Sequence, residues 1–294
     1  MDYVIWNFSH DWTLNVEPQI HTKISPIHVA AIDGSVEFYK QMMLKLDDMN
    51  PKDIFGDNNP LIVAAGYGQF EICKHIIGEL EDKNPARING VTPLSIAAQR
   101  GHYEVCKFIM ANADDKNPAM HNGATPLYLA AQNGHYEICK LIIANVDDKN
   151  PARNDGVTPL YIAVEKGHYE ICKLIITNVD DKNPARNDGV TPLYIAVDKG
   201  HYEICKLIID NVDDKNPAKP NGVTPLYIAA EKGHYEIFKL IFESLGPTNK
   251  NPRTDKGFYP LHTAVVNGHS LKICKMILKD FAISLFKNLW KWLK

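Results

Sequence analysis

The sequence predicts an all-α solenoid of about eight helix-turn-helix repeats, and two observations carry this prediction. Proline recurs at intervals of 34, 33, 33, 33, 33, 33 and 35 residues, at Pro26, Pro60, Pro93, Pro126, Pro159, Pro192, Pro225 and Pro260. Residues 156–188 and 189–221 differ at only five positions. Self-similarity at a fixed period of this size is the signature of stacked repeats, because a single unit cannot bury its apolar faces alone.

Each unit has the pattern of two short helices, which residues 156–188 show most clearly. Thr158 is a residue type that caps helix N-termini, and Pro159 follows at the first helical position, where its missing N–H costs nothing. Gly167 ends this first helix, and the polar segment 180–189 is typical of a turn. An apolar stripe at helical spacing indicates the second helix, through Tyr169, Ile171, Cys172, Ile175 and Ile176.

The residues Thr-Pro-Leu-x-x-Ala, followed by Gly-His-x-Glu at this period, resemble the ankyrin repeat over about residues 23–280. The resemblance implies that each repeat has a β-turn fingertip, an inner first helix and an outer second helix. It also implies a concave surface, formed by fingertips and inner helices, that binds another protein. The expected function is a non-catalytic scaffold or adaptor, and the sequence leaves the identity of the partner open.

Two features depart from the family pattern. The usual Gly-Ala-Asp loop becomes Asn-Val-Asp-Asp-Lys-Asn-Pro, and Tyr replaces the usual His after Thr-Pro-Leu at Tyr128, Tyr161, Tyr194 and Tyr227. We expect these tyrosines to pack between repeats with a hydrogen-bonded hydroxyl, and a contribution to a binding surface is the alternative. A second tyrosine series opens the outer helices, and we expect it to lie in the core: Tyr103, Tyr136, Tyr169, Tyr202 and Tyr235.

The same pattern divides the chain into three segments. Residues 1–22 are expected to cap the first repeat, residues 23–280 form the eight repeats, and residues 281–294 form a C-terminal amphipathic helix. Apolar residues span about 200° of this last helix. The lysines at 272, 275 and 279 would point into its apolar arc if the preceding helix continued straight. The pattern therefore predicts a break near Asp280.

Two interpretations of the C-terminal helix stay open. It folds back and covers the open face of the eighth repeat, which we favour, or it lies in a membrane interface, because tryptophan and lysine are typical of interfacial helices. Either role would rest on Phe286, Leu289, Trp290 and Trp292. The second interpretation gives an alternative function, a membrane-peripheral adaptor tethered by this cationic helix.

Composition and charge argue against several classes of protein. With 32 Lys and Arg against 35 Asp and Glu, the net charge is −3, so the basic footprint of a nucleic-acid-binding protein is missing. No run of residues approaches the roughly 18 apolar residues of a membrane span. The first residues do not have the basic and apolar regions of a secretory signal. We expect a monomer that is not secreted and that lies in the cytoplasm or the nucleus.

No constellation of unlike residues indicates catalysis, a cofactor or a metal. One repeat position is filled by Cys73, Cys106, Cys139, Cys172, Cys205 and Cys274, and by Phe238 in the seventh repeat. Because Phe is no metal ligand, we interpret this position as a buried apolar one. The Gly-His pairs are spaced one per repeat, too far apart for a tetrahedral metal site, and we expect their histidines to brace loops. We therefore predict no catalytic, cofactor-binding or metal-binding residue, and no enzyme.

Candidate partner-binding residues lie, by the resemblance, at the fingertips and at the exposed ends of the inner helices. Interfaces favour Arg as an anchor, which makes Arg153 and Arg186 the first candidates. Val157 and Val190 each follow a tip glycine and would add apolar contact. The other candidates are Asn154, Asp155, Glu165, Lys166, Asn187, Asp188, Asp198, Lys199, Lys219, Glu231 and Lys232.

Overall fold

The computed structural model describes residues 26–44, 58–246, 250, 252–268 and 271–292, with the backbone alone described from 284 onward. Every regular element in these ranges is an α-helix, and the helices follow one another in pairs. The prediction of an all-α repeat solenoid is thus confirmed. Residues 1–22, expected to form the N-terminal cap, lie outside the described residues.

The eight helix pairs begin at the periodic prolines. The first helices, called inner helices, are α1 (Pro26–Asp33), α3 (Pro60–Tyr67), α5 (Pro93–Arg100), α7 (Pro126–Asn133), α9 (Pro159–Lys166), α11 (Pro192–Lys199), α13 (Pro225–Lys232) and α15 (Pro260–Val266). The second helices, called outer helices, are α2 (Val36–Met43), α4 (Phe70–Glu79), α6 (Tyr103–Asn112), α8 (Tyr136–Ile143), α10 (Tyr169–Ile176), α12 (Tyr202–Ile209), α14 (Tyr235–Ser244) and α16 (Leu271–Trp292).

The helices form two compact units, Met1–Asp147 and Asp148–Lys294. The first unit contains α1 to α8 and the second contains α9 to α16. Within each unit, successive inner helices pack side by side, and each outer helix packs on its own inner helix and on the neighbouring outer helices. Each unit therefore has two helical layers, and stacking buries the faces that a single pair would leave in water.

Side-chain capping explains why the inner helices begin and end where they do. The Thr158 hydroxyl accepts a hydrogen bond from the backbone N–H of Tyr161 at 3.1 Å, and Pro159 occupies the first turn. Gly167 ends the helix with φ 78°, in the left-handed region that glycine adopts without strain. The predicted roles of threonine, proline and glycine are confirmed in this repeat.

The unusual Asp-Asp-Lys-Asn-Pro loop is a second capping device. The Asp148 carboxylate accepts a hydrogen bond from the backbone N–H of Asn150 at 3.0 Å. The side-chain oxygen of Asn150 in turn accepts one from the backbone N–H of Leu160 at 2.8 Å, in the first turn of α9. The same Asn-to-Leu bond recurs at Asn84–Leu94, Asn117–Leu127, Asn183–Leu193 and Asn216–Leu226. The loop therefore fixes the start of the next inner helix, a role that the sequence did not reveal.

The core lies between the two layers of each unit. In the fifth repeat, Leu160, Ala163, Cys172 and Ile175 are each 0% exposed. Burial of one such aliphatic side chain stabilises the fold by about 1.5–3 kcal/mol. The cysteine position is buried in five repeats, as predicted, and only Cys274 of the last repeat is partly exposed. The expectation for the second tyrosine series is wrong, because Tyr202 is 38% exposed and the other four members are only half-buried.

The predicted break near Asp280 is also wrong. Helix α16 runs without interruption over 22 residues, Leu271–Trp292. The segment contains no proline or glycine that would end the helix, and at its middle the Asp280 carboxylate pairs with the ammonium of Lys250 at 2.9 Å. Phe281, at 65% exposed, is followed by two further exposed residues, so the helix does not turn back onto the eighth repeat there. The favoured cap is therefore incorrect in its fold-back form.

Candidate functional site

Each fingertip is a tight turn closed by its own hydrogen bonds. In the sixth repeat, the backbone N–H of Arg186 donates to the carbonyl of Val190, and that of Gly189 donates to the carbonyl of Arg186, both at 2.9 Å. The Asp188 carboxylate accepts from the N–H of Val190 at 3.1 Å and lies 3.5 Å from the Arg186 guanidinium. The fifth tip repeats this arrangement with Arg153 and Asp155. The tips are therefore ordered turns that hold their polar side chains in fixed places.

The fifth and sixth tips are joined to each other. The side-chain amide of Asn187 donates to the carbonyl of Asn154 at 3.0 Å, and its backbone N–H donates to the carbonyl of Asp155 at 3.4 Å. A Cβ atom on Gly156 would lie 2.8 Å from the Asn187 nitrogen, so the contact requires glycine. The side chains of Asn154, Asp155 and Asn187 nevertheless stay exposed. Neighbouring tips therefore present a continuous polar edge.

Arg186, a first candidate for partner binding, makes a contact within the array. Its guanidinium lies 5.3 Å from the centre of the Tyr161 ring and donates to the Tyr161 hydroxyl at 3.2 Å. Burial raises the pKa of Tyr161, and the hydrogen bond to Tyr161 raises the pKa of Arg186. Arg186 therefore joins the sixth tip to the fifth inner helix, and the expected hydrogen-bonded tyrosine hydroxyl is confirmed at Tyr161.

The next repeat replaces arginine by lysine in the same place. The ammonium of Lys219 lies 5.0 Å from the centre of the Tyr194 ring. Burial raises the pKa of Tyr194 to about 12, and the negative charges of Asp198, Glu231 and Asp188 add to the effect. The surroundings of this tyrosine are therefore acidic as well as aromatic, which favours a cation over its ring.

The exposed ends of the inner helices carry the remaining candidates. Lys166 and Lys199 are exposed, whereas Glu165 and Glu231 are half-buried. Lys232 pairs with the Asp198 carboxylate at 3.1 Å and so links the seventh repeat to the sixth. This pair is partly in water, where an ion pair contributes about 0–1 kcal/mol.

The two valines do not offer the apolar surface that the sequence predicted. Val157 is 6% exposed and Val190 is 8% exposed, because each turns inward from its tip. The tips and helix ends of the second unit instead present charged and amide side chains to solvent. We call this set the tip surface; it consists of Asn154, Asp155, Lys166, Asn187, Asp188, Lys199 and Lys232.

The first unit has a different surface at the equivalent places. Ile88 at one tip is 78% exposed, and Tyr67 at the end of α3 is 47% exposed. The other exposed side chains at these places are Asp33, Asn89, Arg100, His121, Asn122 and Asn133, of which Asp33 alone is acidic. These residues were not among the predicted binding residues, although an isoleucine at position 88, within a polar turn, is a departure that the sequence itself shows.

A comparison with protein-family models gives the same architecture. The model described as "Ankyrin repeats (3 copies)" matches residues 27–120, 61–153, 111–184, 145–217, 172–251 and 211–287. The chain belongs to the ankyrin-repeat family. Ankyrin repeats generally mediate protein–protein interaction and are typically non-catalytic. A comparison with curated proteins finds no match.

Two Gly-His pairs of these ankyrin repeats, at His102 and His135, have the bracing role that the sequence predicted. The Nε2 atom of His102 lies 2.9 Å from the carbonyl oxygen of Gly66, and that of His135 lies 3.0 Å from the carbonyl of Gln99. Because a carbonyl can only accept, the ring nitrogen donates in both cases. Each histidine thus ties its repeat to the one before it.

Five of the six cysteines of the ankyrin array are buried thiols, and Cys274 is the partly exposed one. Burial raises the pKa of Cys73, Cys106, Cys139, Cys172 and Cys205 to about 12. A protonated, buried thiol is a poor nucleophile and a poor metal ligand. Within the described part of the chain, no three His, Cys, Asp or Glu side chains converge as metal ligands, and no helix is long and apolar enough to cross a membrane.

Proposed function

We propose that this ankyrin-repeat protein is a non-catalytic scaffold or adaptor whose tip surface, on the concave face that the family forms, binds another protein. The observation that carries the proposal is the direct bonding between the fifth and sixth tips, with their polar side chains still exposed. The partner is a protein rather than a nucleic acid, because exposed lysines alternate with exposed carboxylates. We propose further that the chain acts as a monomer in the cytoplasm or the nucleus.

The rigidity of the tips supports this function energetically. Immobilising a flexible side chain at an interface costs about 0.5–1.5 kcal/mol, and ordering a loop costs more. At Asn187 and Asp188 that ordering is already present in the free chain, since both residues belong to hydrogen-bonded turns. A partner therefore meets a surface that loses little conformational entropy on binding.

The test uses two lysines of the tip surface that make no ion pair with any residue in the described ranges. Lys166 and Lys199 are exposed, so Lys166→Glu with Lys199→Glu changes the surface charge without breaking a structural contact. The matched control is Lys173→Glu with Lys206→Glu, the same charge change on the outer helices α10 and α12. In affinity capture from cell lysate, we expect a partner that the parent and the control retain and the tip variant loses. Equal capture by all three chains would contradict the proposal.

We propose binding to a membrane surface as a second candidate function, because α16 presents apolar side chains to solvent. Leu278 is 54% exposed, Phe281 is 65% exposed and Ile283 is 45% exposed. Because α16 runs straight, the exposed Lys275 and Lys279 lie on the side of this apolar arc, and the amphipathic pattern belongs to the sequence of residues 281–294, which adds Phe286, Leu289, Trp290, Trp292 and further lysines. An amphipathic helix with this composition is suited to an anionic lipid interface.

Vesicle co-sedimentation tests this second function. We expect the full chain to sediment with phosphatidylserine-containing vesicles and not with purely zwitterionic ones, since the lysines need anionic headgroups. Phe281→Ser with Ile283→Ser should release it, whereas a matched pair on the exposed end of α10, Thr177→Ser with Asn178→Ser, should not. Sedimentation that is independent of both lipid charge and the α16 variant would contradict a role for this helix.

A further inference from the structure

Three tyrosines occupy one position in consecutive repeats of the second unit, and two of them hold a cation. Tyr161 is covered by Arg186 at 5.3 Å, and Tyr194 is covered by Lys219 at 5.0 Å. In both cases the cation belongs to the tip of the following repeat. Tyr227 is the third member of the series, and Thr254 stands at the corresponding position of the eighth tip.

Thr254 leaves the Tyr227 ring without a cation. The Thr254 hydroxyl accepts a hydrogen bond from the backbone N–H of Phe258 at 3.1 Å, so it serves its own turn. Other cations of the last repeat have contacts of their own: Lys250 lies over the Phe242 ring at 4.6 Å, Lys272 lies over the Tyr235 ring at 5.3 Å, and a guanidinium nitrogen of Arg253 lies 3.0 Å from the place that a Cβ atom on Gly257 would take. Among the described residues, no cation lies over the half-buried Tyr227.

The carboxylate four residues after this tyrosine in α13, which also acts on Tyr194 of the preceding repeat, has lost its internal partner. In the sixth repeat, Asp198 pairs with Lys232 of the next inner helix at 3.1 Å. The equivalent carboxylate in the seventh repeat is Glu231, and the equivalent of Lys232 is Asn267. The Asn267 amide donates to the backbone carbonyl of Glu231 at 3.2 Å and adds no positive charge. Within the described residues, the half-buried Glu231 carboxylate therefore has no ion-pair partner.

A second aromatic side chain is exposed at the same corner. The backbone N–H of Thr254 donates to the carbonyl of Phe258 at 2.9 Å, just as Arg186 pairs with Val190 in the sixth tip. By its position in the repeat this turn is the counterpart of the one that covers Tyr161, and the Phe258 ring lies 6.5 Å from the ring of His262, edge to face. Phe258 is 51% exposed, whereas its counterpart Val190 is 8% exposed.

We propose that Tyr227, Glu231 and Phe258 form a site for one arginine or lysine side chain of the protein partner. The inference rests on the proposed function and names the chemistry that the eighth tip recognises. The partner's cation takes the place that Arg186 and Lys219 fill within the array. An aromatic face with a nearby carboxylate is the environment in which those two internal cations are held.

The first test measures binding of a single cation directly. The probe is a five-residue peptide with one central arginine, and its control is the same peptide with neutral citrulline. In the full chain with ¹³C-labelled tyrosine rings, we expect the arginine peptide to shift the Tyr227 signal at millimolar concentration, while the Tyr161 and Tyr194 signals move little because their cations are internal. Equal shifts with citrulline, or no shift at Tyr227, would overturn the proposal.

The second test fills the site from within. Thr254→Arg places an arginine where the sixth tip has Arg186, and we expect it to weaken the binding of the arginine peptide about 10-fold. The matched control, Thr177→Arg, adds the same charge at an exposed position of the fifth repeat. Tyr227→Leu provides a second variant with the same expected loss, and Tyr194→Leu is its control. Unchanged binding by a folded Thr254→Arg or Tyr227→Leu chain would refute the site.

These outcomes are separable from those of the proposed function. If the lysine variants of the tip surface lose the captured protein but Tyr227→Leu retains it with unchanged affinity, the scaffold function stands and the cation site is rejected. If no protein is captured by the parent chain but the arginine peptide still binds, the site stands and the scaffold function is rejected.

Discussion

The contact between the fifth and sixth repeats differs from the contact between the seventh and eighth, although the fold is the same. At the first contact, Arg186 covers Tyr161, and the Asn187 side chain bonds to the preceding tip. At the second, Thr254 replaces the arginine, and Asp255 reaches the preceding tip through its backbone N–H alone, at 3.2 Å from the Asn221 carbonyl. The apolar stacking is retained, but the charged contacts are not.

This difference distinguishes the side chains that hold the repeats together from those that stay available to a partner. In the middle repeats, arginine and lysine at the tips are used within the chain. At the corresponding places of the last repeat stand the neutral residues Thr254 and Asn267, so the half-buried Tyr227 and Glu231 have no internal cation among the described residues. A repeated residue such as Arg186 can therefore serve the array itself, and the departure at Thr254 adds Tyr227 to the places where we propose recognition, beside the exposed side chains of the tip surface.

The largest expected effect compares one leucine in these two regions. Leu193 is 0% exposed, and its counterpart Leu261 in the last repeat is only half-buried. Leu193→Ala should lower the free energy of unfolding by about 2–5 kcal/mol, since it leaves a cavity in a packed core. Leu261→Ala should cost clearly less. Urea unfolding of both variants makes the comparison, and equal losses would show that the last repeat is packed as tightly as the middle ones.

The cysteine position gives the next largest effect, as a function of pH. Burial raises the pKa of Cys172 from 9.0 to about 12. The folded state holds the thiol proton more tightly than the unfolded state does. The contribution of the protonated thiol to the free energy of unfolding is therefore complete below pH 9 and is lost as the pH rises toward 12. The stability difference between the parent and Cys172→Ala should therefore shift against the parent by about 1.4 kcal/mol per pH unit in that window. A difference that is independent of pH would contradict the assigned burial.

Thiol labelling sharpens the same comparison at neutral pH. Cys274 is the one partly exposed cysteine among the described residues, and the other five are buried. A thiol-specific reagent should modify Cys274 first, and the rest only on unfolding, because a buried protonated thiol reacts slowly. Cys274→Ser should remove the fast phase, whereas Cys205→Ser should leave it. A fast phase that survives in Cys274→Ser would place a second reactive thiol in the folded chain.

A smaller effect is expected at the contact between tip and tyrosine. Arg186→Ala removes one hydrogen bond and one cation–π contact, together about 1 kcal/mol at a partly exposed site. Lys199→Ala is the matched control, because Lys199 is exposed and forms no ion pair in the described part of the chain. Thermal unfolding should show a lower melting temperature for Arg186→Ala alone. If both variants melt with the parent, Arg186 is free to bind a partner after all.

The smallest effect has the opposite sign. Thr254→Arg supplies the cation that the last contact does not have, and should stabilise the chain by a few tenths to about 1 kcal/mol. Part of this gain is offset by the loss of the Thr254 hydrogen bond to Phe258. Combining Thr254→Arg with Tyr227→Leu should cancel the gain. An equal gain in the double variant would show that the new arginine acts elsewhere.

The sequence predicted the fold because each repeat is delimited by residues with one strong backbone preference. Thr158, Pro159 and Gly167 set a helix start and a helix end by local chemistry, which needs no knowledge of neighbours. The loop was harder to predict. The hydrogen bond that the Leu160 N–H donates to the Asn150 side chain joins residues ten apart, and no short motif marks it. The continuity of α16 was not predicted because the helical wheel compared apolar arcs, whereas Leu271–Trp292 contains no proline or glycine to end the helix.

The candidate site was predicted only in outline. The family resemblance pointed to tips and helix ends, but it gave no means of telling Arg186, which packs on Tyr161, from Lys199, which is exposed. That distinction depends on contacts between repeats, such as the hydrogen bond that joins Arg186 to Tyr161, which lies 25 residues earlier in the sequence. The sequence alone does not distinguish Tyr227, because its difference from Tyr161 and Tyr194 depends on the cations that cover those two rings.

The most direct test of protein binding by the tip surface is amide hydrogen exchange of the full chain, with and without the captured partner. Exchange should slow at residues 153–156 and 186–189 and at the C-terminal ends of α9 and α11, while the outer helices α10 and α12 keep the exchange rates of the free chain. Protection confined to the outer helices or to α16, with the tips unchanged, would contradict it.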